Sequence, residues 1–280
     1  MRRETGASPR DPIEAVTHSD PYPYYARLVA ERPLYFDETL GLWVAAGAHA
    51  VEDVLASPLC RVRPVDEPVP RALEGSSLSA VFGQLTRMID GAGHASRKAA
   101  IQTALASIDD ATVDRLAREE ADRLVEELDP REHPGRVNAF ALRLPIHVVG
   151  RMLGIESAEL AGVAANVASF VGALAPGSTP DERQQGETAA DALIELFERL
   201  SRAQGVSQEG PLLARLGAEM ARGNGQGRRP AGANAIGLLM QSYEATAGLI
   251  GNTLVALVYY GARSRLDRAF VLEVLRFDAR

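Results

Sequence analysis

Asn234-Ala-Ile-Gly-Leu-Leu-Met-Gln-Ser-Tyr-Glu-Ala-Thr-Ala-Gly-Leu-Ile-Gly-Asn-Thr-Leu254 is the stretch whose reading decides the fold. It lies in a longer apolar segment, Ala233 to Tyr260, with no proline to break an i to i−4 hydrogen-bond ladder. A segment of that length and composition reads as one long, very apolar helix. Its polar residues gather at the middle, where an acid, Glu244, and an alcohol, Thr246, stand close together. Taken alone, such a helix is a buried core element with one tolerated polar step.

Working outward, helices dominate. On the N-terminal side, Gly223–Gly232 is rich in glycine and arginine and reads as a flexible linker around Gly225-Gln226-Gly227. It is not a phosphate loop, because no Lys-Ser/Thr follows. Before it come helical segments at Leu212–Ala221, Pro180–Ala203 and Ala158–Leu174, the last two separated by the loop Ala175–Thr179. Val137–Leu153 is strongly apolar and reads as buried on most sides. Thr112–Leu128 carries apolar residues at Val113, Leu116, Ala121, Leu124 and Leu128. Asp90 can cap a helix running to Ala106. On the C-terminal side a last helix begins near Asp267.

The front of the chain is mixed. Pro21–Glu31 reads as a helix stopped by Pro33. Leu34–Phe36 and Leu42–Val44 alternate like two short strands joined through Glu38–Gly41, and Ala48–Leu55 is a further helix. Ser57–Ser77, with Pro58, Pro64, Pro68 and Pro70, reads as a long irregular stretch of the kind that often carries function. There is no internal repeat and no βαβ alternation, so the fold class is mainly α with a small β-sheet near the N-terminus. The domain expectation is a flexible segment over residues 1–19 followed by a single domain over 20–280.

The 280 residues are 46% hydrophobic, ample for a large core. A net charge of −7 and 5% aromatic content disfavour general nucleic-acid binding. Cys60 is the single cysteine, so no internal disulfide forms and a reducing, cytoplasmic home is expected. No apolar run approaches the roughly 18–20 residues that cross a bilayer. The polar start, Met1 to Asp20, lacks the apolar middle of a signal peptide. The five histidines are scattered without metal-ligand spacing.

Four segments in order give a resemblance. The central helix, with Glu244 and Thr246, resembles the oxygen-binding helix of the cytochrome P450 family, usually Ala/Gly-Gly-x-Asp/Glu-Thr-Thr/Ser. Asp90-Gly-Ala-Gly-His94-Ala-Ser-Arg-Lys98 is similar to the family's Asp-Pro-Pro-x-His-x-x-x-Arg. Asp20-Pro-Tyr-Pro-Tyr-Tyr is similar to the start of its N-terminal helix. Phe270-Val-Leu-Glu273-Val-Leu-Arg276 is similar to its Glu-x-x-Arg helix. The resemblance runs from about Asp20 to Asp278.

The resemblance implies heme b, with His94 and Lys98 at the positions that hold the propionates and Arg97 one residue off that face. Lys98 stands where arginine is usual; it can neutralise a carboxylate but not grip it in bidentate fashion. It implies that Glu244 is the acid of oxygen activation and that Ala245 replaces the usual threonine. Thr246 lies one residue, about 100°, further round the helix. Gln241 and Ser242 stand where the family has a small pair that leaves room for dioxygen. Glu273 and Arg276 take the structural Glu-x-x-Arg role.

The family's iron ligand is a cysteine in Phe-Gly-x-Gly-x-His-x-Cys-x-Gly, downstream of the Glu-x-x-Arg helix, and the 280 residues stop before it. Cys60, with no glycine-rich loop around it, reads as an ordinary partly buried thiol. The resemblance therefore implies a P450-type fold incomplete at its C-terminus, with no metal ligand of its own and inactive alone. Intact, it would oxidise a small apolar metabolite with dioxygen and electrons from a ferredoxin or similar partner. The other expectation is a heme-free P450-derived interaction protein, such as a glycosyltransferase activator.

Overall fold

The structure, a computed structural model, describes residues 8–175, 177–224, 228–260 and 267–278. It divides into two compact units, Met1–Arg61 and Val62–Arg280, where the sequence reads as one domain from residue 20.

In the first unit, α1 (Pro12–Val16) starts where the Asp11 carboxylate accepts hydrogen bonds from the Ile13 and Glu14 amides. Part of the stretch expected to be flexible is therefore a capped turn of helix. α2 (Tyr22–Glu31) ends two residues before Pro33. β1 (Leu34–Asp37) and β2 (Leu42–Ala45) pair antiparallel with Phe36 opposite Trp43, joined through a turn in which Gly41 takes a φ of 65°. α3 spans Ala48–Ala56. Ala15, Tyr24, Leu28 and Tyr35 form this unit's small core.

Among the described residues of the second unit, the regular elements are helices. α4 (Ser77–Phe82) is capped by the Ser76 hydroxyl, which accepts from the Ser79 amide. The irregular stretch Ser57–Ser77 thus gives way to a helix that the sequence reading missed. It is short, and Leu78, Val81 and Phe82 bury its one apolar face. α5 (Gly91–Ala106), α6 (Asp110–Leu128), α7 (Val137–Leu153), α8 (Leu160–Leu174) and α9 (Pro180–Gln204) follow the expected order. Thr179 and Glu182 close a reciprocal capping box on α9. α8 and α9 approach so closely that a Cβ on Gly186 would collide with the Ala173 side chain.

α10 (Leu212–Asn224) and α11 (Arg228–Tyr260) both invade the expected linker Gly223–Gly232. Pro230, Ala231 and Ala233 at the start of α11 are buried, so packing overrides the weak helix propensity of that stretch. The linker's centre, 225–227, lies outside the described residues. α12 (Arg268–Asp278) begins where Asp267 accepts from the Phe270 amide. The main core threads α4, α5, α7, α8, α9, α10 and the first half of α11, with Ile146, Leu160, Phe170, Phe197, Leu216 and Leu239 fully enclosed.

Candidate functional site

α5, the centre of α11 and the segment between α4 and α5 form the candidate site. That segment, Gly83 to Ile89, is strapped to α11 by Asn234. The Asn234 Oδ1 accepts from the Thr86 amide at 2.9 Å, and its Nδ2 donates to the carbonyls of Gln84 at 3.1 Å and Pro230 at 2.8 Å. Asn234 is buried, so each of these bonds replaces one to water that is no longer available. Gly237, one turn on, lets the Leu85 side chain approach; a Cβ there would sit 2.9 Å from it.

The same strap meets α5. The His94 Nδ1 lies 2.9 Å from the Thr86 carbonyl, which only accepts, so Nδ1 carries the proton and Nε2 is left for another partner. The Arg97 Nη1 donates to the Gln84 carbonyl at 3.1 Å, while its Nε is buried with no partner. Lys98 is exposed. His94 and Arg97 therefore converge on one strap, and the expected partner of His94, Lys98, stands apart from it in solvent. Asp90 occupies the N-cap position but does not cap its own helix; its carboxylate accepts from the Val62 amide at 3.3 Å.

On α11, Glu244, Ala245 and Thr246 are exposed. The Gln241 amide folds back on the Gly237 carbonyl at 3.0 Å and the Ser242 hydroxyl on that of Leu239 at 2.9 Å. Neither side chain is spent on a neighbouring element. Burial, then the Glu244 charge, pushes the Tyr243 phenol above its usual range. Glu273 is exposed on α12; the Arg276 side chain lies outside the described residues.

Whether these residues suit heme divides into two ends. At the propionate end the donor set fits. Arg97 has a buried guanidinium nitrogen without a partner, His94 a free Nε2 and Lys98 a solvent-facing ammonium. For the iron, the sequence offers one cysteine, Cys60, which is exposed, correcting the partly buried reading; among the described residues no group of three or more His, Cys, Asp or Glu could hold a metal ion.

Sequence reading missed a buried ionic cluster between α6 and α7. Glu120, 1% exposed, receives hydrogen bonds from Arg123 at 2.8 Å and Arg151 at 2.8 Å, and lies 3.2 Å from the Nδ1 of the fully buried His147. Desolvation raises the Glu120 carboxyl pKa, but the bonds from Arg151, His147 and Arg123 together outweigh it and leave it below the usual range. Desolvation holds the His147 imidazole below its usual range. The signal was present: Glu120-Ala-Asp-Arg123 has the same Glu-x-x-Arg spacing as Glu273 and Arg276.

Several known proteins resemble this chain. No family model matches the chain. A Xylella fastidiosa protein carrying a cytochrome P450 name, 133B2, is 24% identical over 205 residues, covering 70% of this chain and 51% of that protein. The solved structure of CalO2 superposes with a TM-score of 0.68 at 20% identity, over 91% of this chain and 63% of that one. P450BioI, solved in complex with an acyl carrier protein ligated to hexadec-9Z-enoic acid, gives 0.67 at 19%, over 85% and 61%. The chain thus has the cytochrome P450 fold, mainly helical with a two-stranded sheet, and the named relatives support a P450-family chain. It spans about half the length of the curated relatives it matches. Among the described residues no helix is long and apolar enough to cross a membrane.

Proposed function

We propose that this chain forms the oxygen-facing and propionate-facing part of a cytoplasmic heme-thiolate monooxygenase. The substrate would be a small apolar metabolite, with electrons from a ferredoxin-type partner. The observation that carries the reading is the convergence of His94 and Arg97 on the strap held to α11, within a P450 fold. Heme, when bound, supplies the activation of dioxygen. The His94 Nε2, the Arg97 Nε and the Lys98 ammonium would hold its carboxylates. Glu244, exposed at the centre of α11, would take up and pass protons there; Ala245 brings no hydroxyl, and Thr246, also exposed, stands about 100° further round the helix. Cys60, the single cysteine of the sequence, is exposed and has no glycine-rich loop around it in sequence, so this reading gives it no part in holding the iron.

Titrating hemin into the purified protein tests this. Saturable binding weakened about tenfold by Arg97→Gln is expected, a magnitude typical of a lost charge-assisted hydrogen bond. A reduced CO complex of these residues alone should lack the red-shifted Soret band of thiolate ligation. Hemin binding indifferent to both Arg97→Gln and His94→Ala would sink the propionate assignment.

A second reading is a heme-free auxiliary protein that acts by binding a partner, as a glycosyltransferase activator would. It is favoured by Gln241, Ser242 and Ala245, which replace the residues that oxygen chemistry uses. Absence of any saturable hemin binding, with a stable protein complex instead, would select it.

A further inference from the structure

In the Val62–Arg280 unit, α4, α9 and α11 enclose a half-open cavity of about 590 Å3. That is within the range of about 300–1,000 Å3 typical of small-molecule sites. One stripe of α9 and one of α11, each at i, i+3, i+4 and i+7 spacing, face it, so both helices present a continuous side to the space. The deep wall is apolar: Val81 from α4, Ile194 and Phe197 from α9, Ile236 from α11. The space stays open because α11 contributes Gly232 and Ala233. A Cβ on Gly232 would meet Phe197 at an ordinary 3.5 Å, so a larger side chain could have filled it.

The rim is charged, and its charges do not cancel. Glu198 and Arg202 pair with each other at 3.5 Å on α9. Arg229, exposed at the first turn of α11, has no ion-pair or hydrogen-bond partner among the described residues. An apolar slot with one uncompensated guanidinium at its mouth is complementary to a molecule with an apolar body and one anionic end.

We propose that this cavity binds a small amphipathic carboxylate, its apolar chain against Val81, Phe197 and Ile236 and its carboxylate on Arg229. The inference rests on the cavity and its charges, and stands whether or not the chain binds heme.

Calorimetric titration with decanoate, decanol and decylamine tests it. Decanoate should bind at one saturable site and decylamine at least about tenfold more weakly, as for one charge-assisted contact won or lost. Arg229→Gln should weaken decanoate by a similar factor and leave decanol unchanged. Gly232→Leu, which fills the slot, should weaken decanoate and decanol alike. If circular dichroism shows that Gly232→Leu does not fold, the exposed Arg229→Gln still decides. Equal affinity for decanoate and decylamine, indifference to Arg229→Gln, or no saturable binding would each overturn the proposal.

Discussion

The two halves of α11 share one backbone and live in different environments. Before Gln241 the helix is core: Ala231, Ala233, Asn234, Ala235, Ile236 and Leu239 are buried. After it Ala247 and Thr253 are still buried, but large apolar side chains turn outward towards the end of the helix, with Val255 66% and Val258 85% exposed. Apolar side chains occur in both halves, so it is packing that decides which of them are covered. An exposed apolar stretch of this kind marks a contact surface or an aggregation liability. The boundary falls at Gln241–Thr246, the segment with the oxygen-helix resemblance.

Mutations on either side of that boundary should therefore behave differently. Leu239→Ala, in the buried half, should cost about 2–5 kcal/mol, the range for cavity-forming core truncations. Urea unfolding followed by circular dichroism reads it; a loss as small as that of a surface variant would dissolve the distinction. Asn234→Ala should cost about 1–3 kcal/mol by leaving the buried Thr86 amide without its acceptor. It should also speed hydrogen exchange at that amide, which a general loss of stability would not single out.

Acid should sharpen the contrast from the neighbouring α6–α7 layer. Both Glu120 and His147 have folded pKa values below their unfolded ones, so the folded state binds fewer protons than the unfolded one. Their contribution is present above the unfolded values. It is lost first as pH falls below the ordinary histidine value of 6.5, then below the carboxylate value of 4.5. Melting curves from neutral to acid should show that loss, and Glu120→Gln should flatten its lower part. The smallest effect is expected at Val258→Ser: stability unchanged within about 0.5 kcal/mol. Sedimentation should show less self-association; a large destabilisation instead would mean that this face is packed.

Much of the fold was legible because its signals are local. The length and apolarity of Ala233–Tyr260, the helix start at Pro180 and the alternation around Glu38–Gly41 all rest on signals read along the chain itself. The helix starts at Ser77 and Arg228 were not legible, since each depends on burial against distant elements. The site divides the same way. Spacing offered His94 and Lys98 as the pair, with Arg97 one residue off that face, and what each of them faces could not be read. Asn234 meets Thr86 across 148 residues of sequence, and no local pattern announces a partner that far away. The Glu120–Arg123 pair had a visible spacing, yet an i, i+3 ion pair is most often a solvated one. Only its burial beside His147 and Arg151 gives it weight.

The β-hairpin of the first unit has a spectroscopic consequence. Trp43 is the only tryptophan in the sequence, it is 70% exposed, and its ring stands edge-on to that of Phe36 with centroids 5.6 Å apart. Intrinsic tryptophan emission therefore comes from the Met1–Arg61 unit alone. An indole already in water gains little red shift on unfolding. A fluorescence melt of this protein would record only a faint change in emission, all of it from the smaller unit.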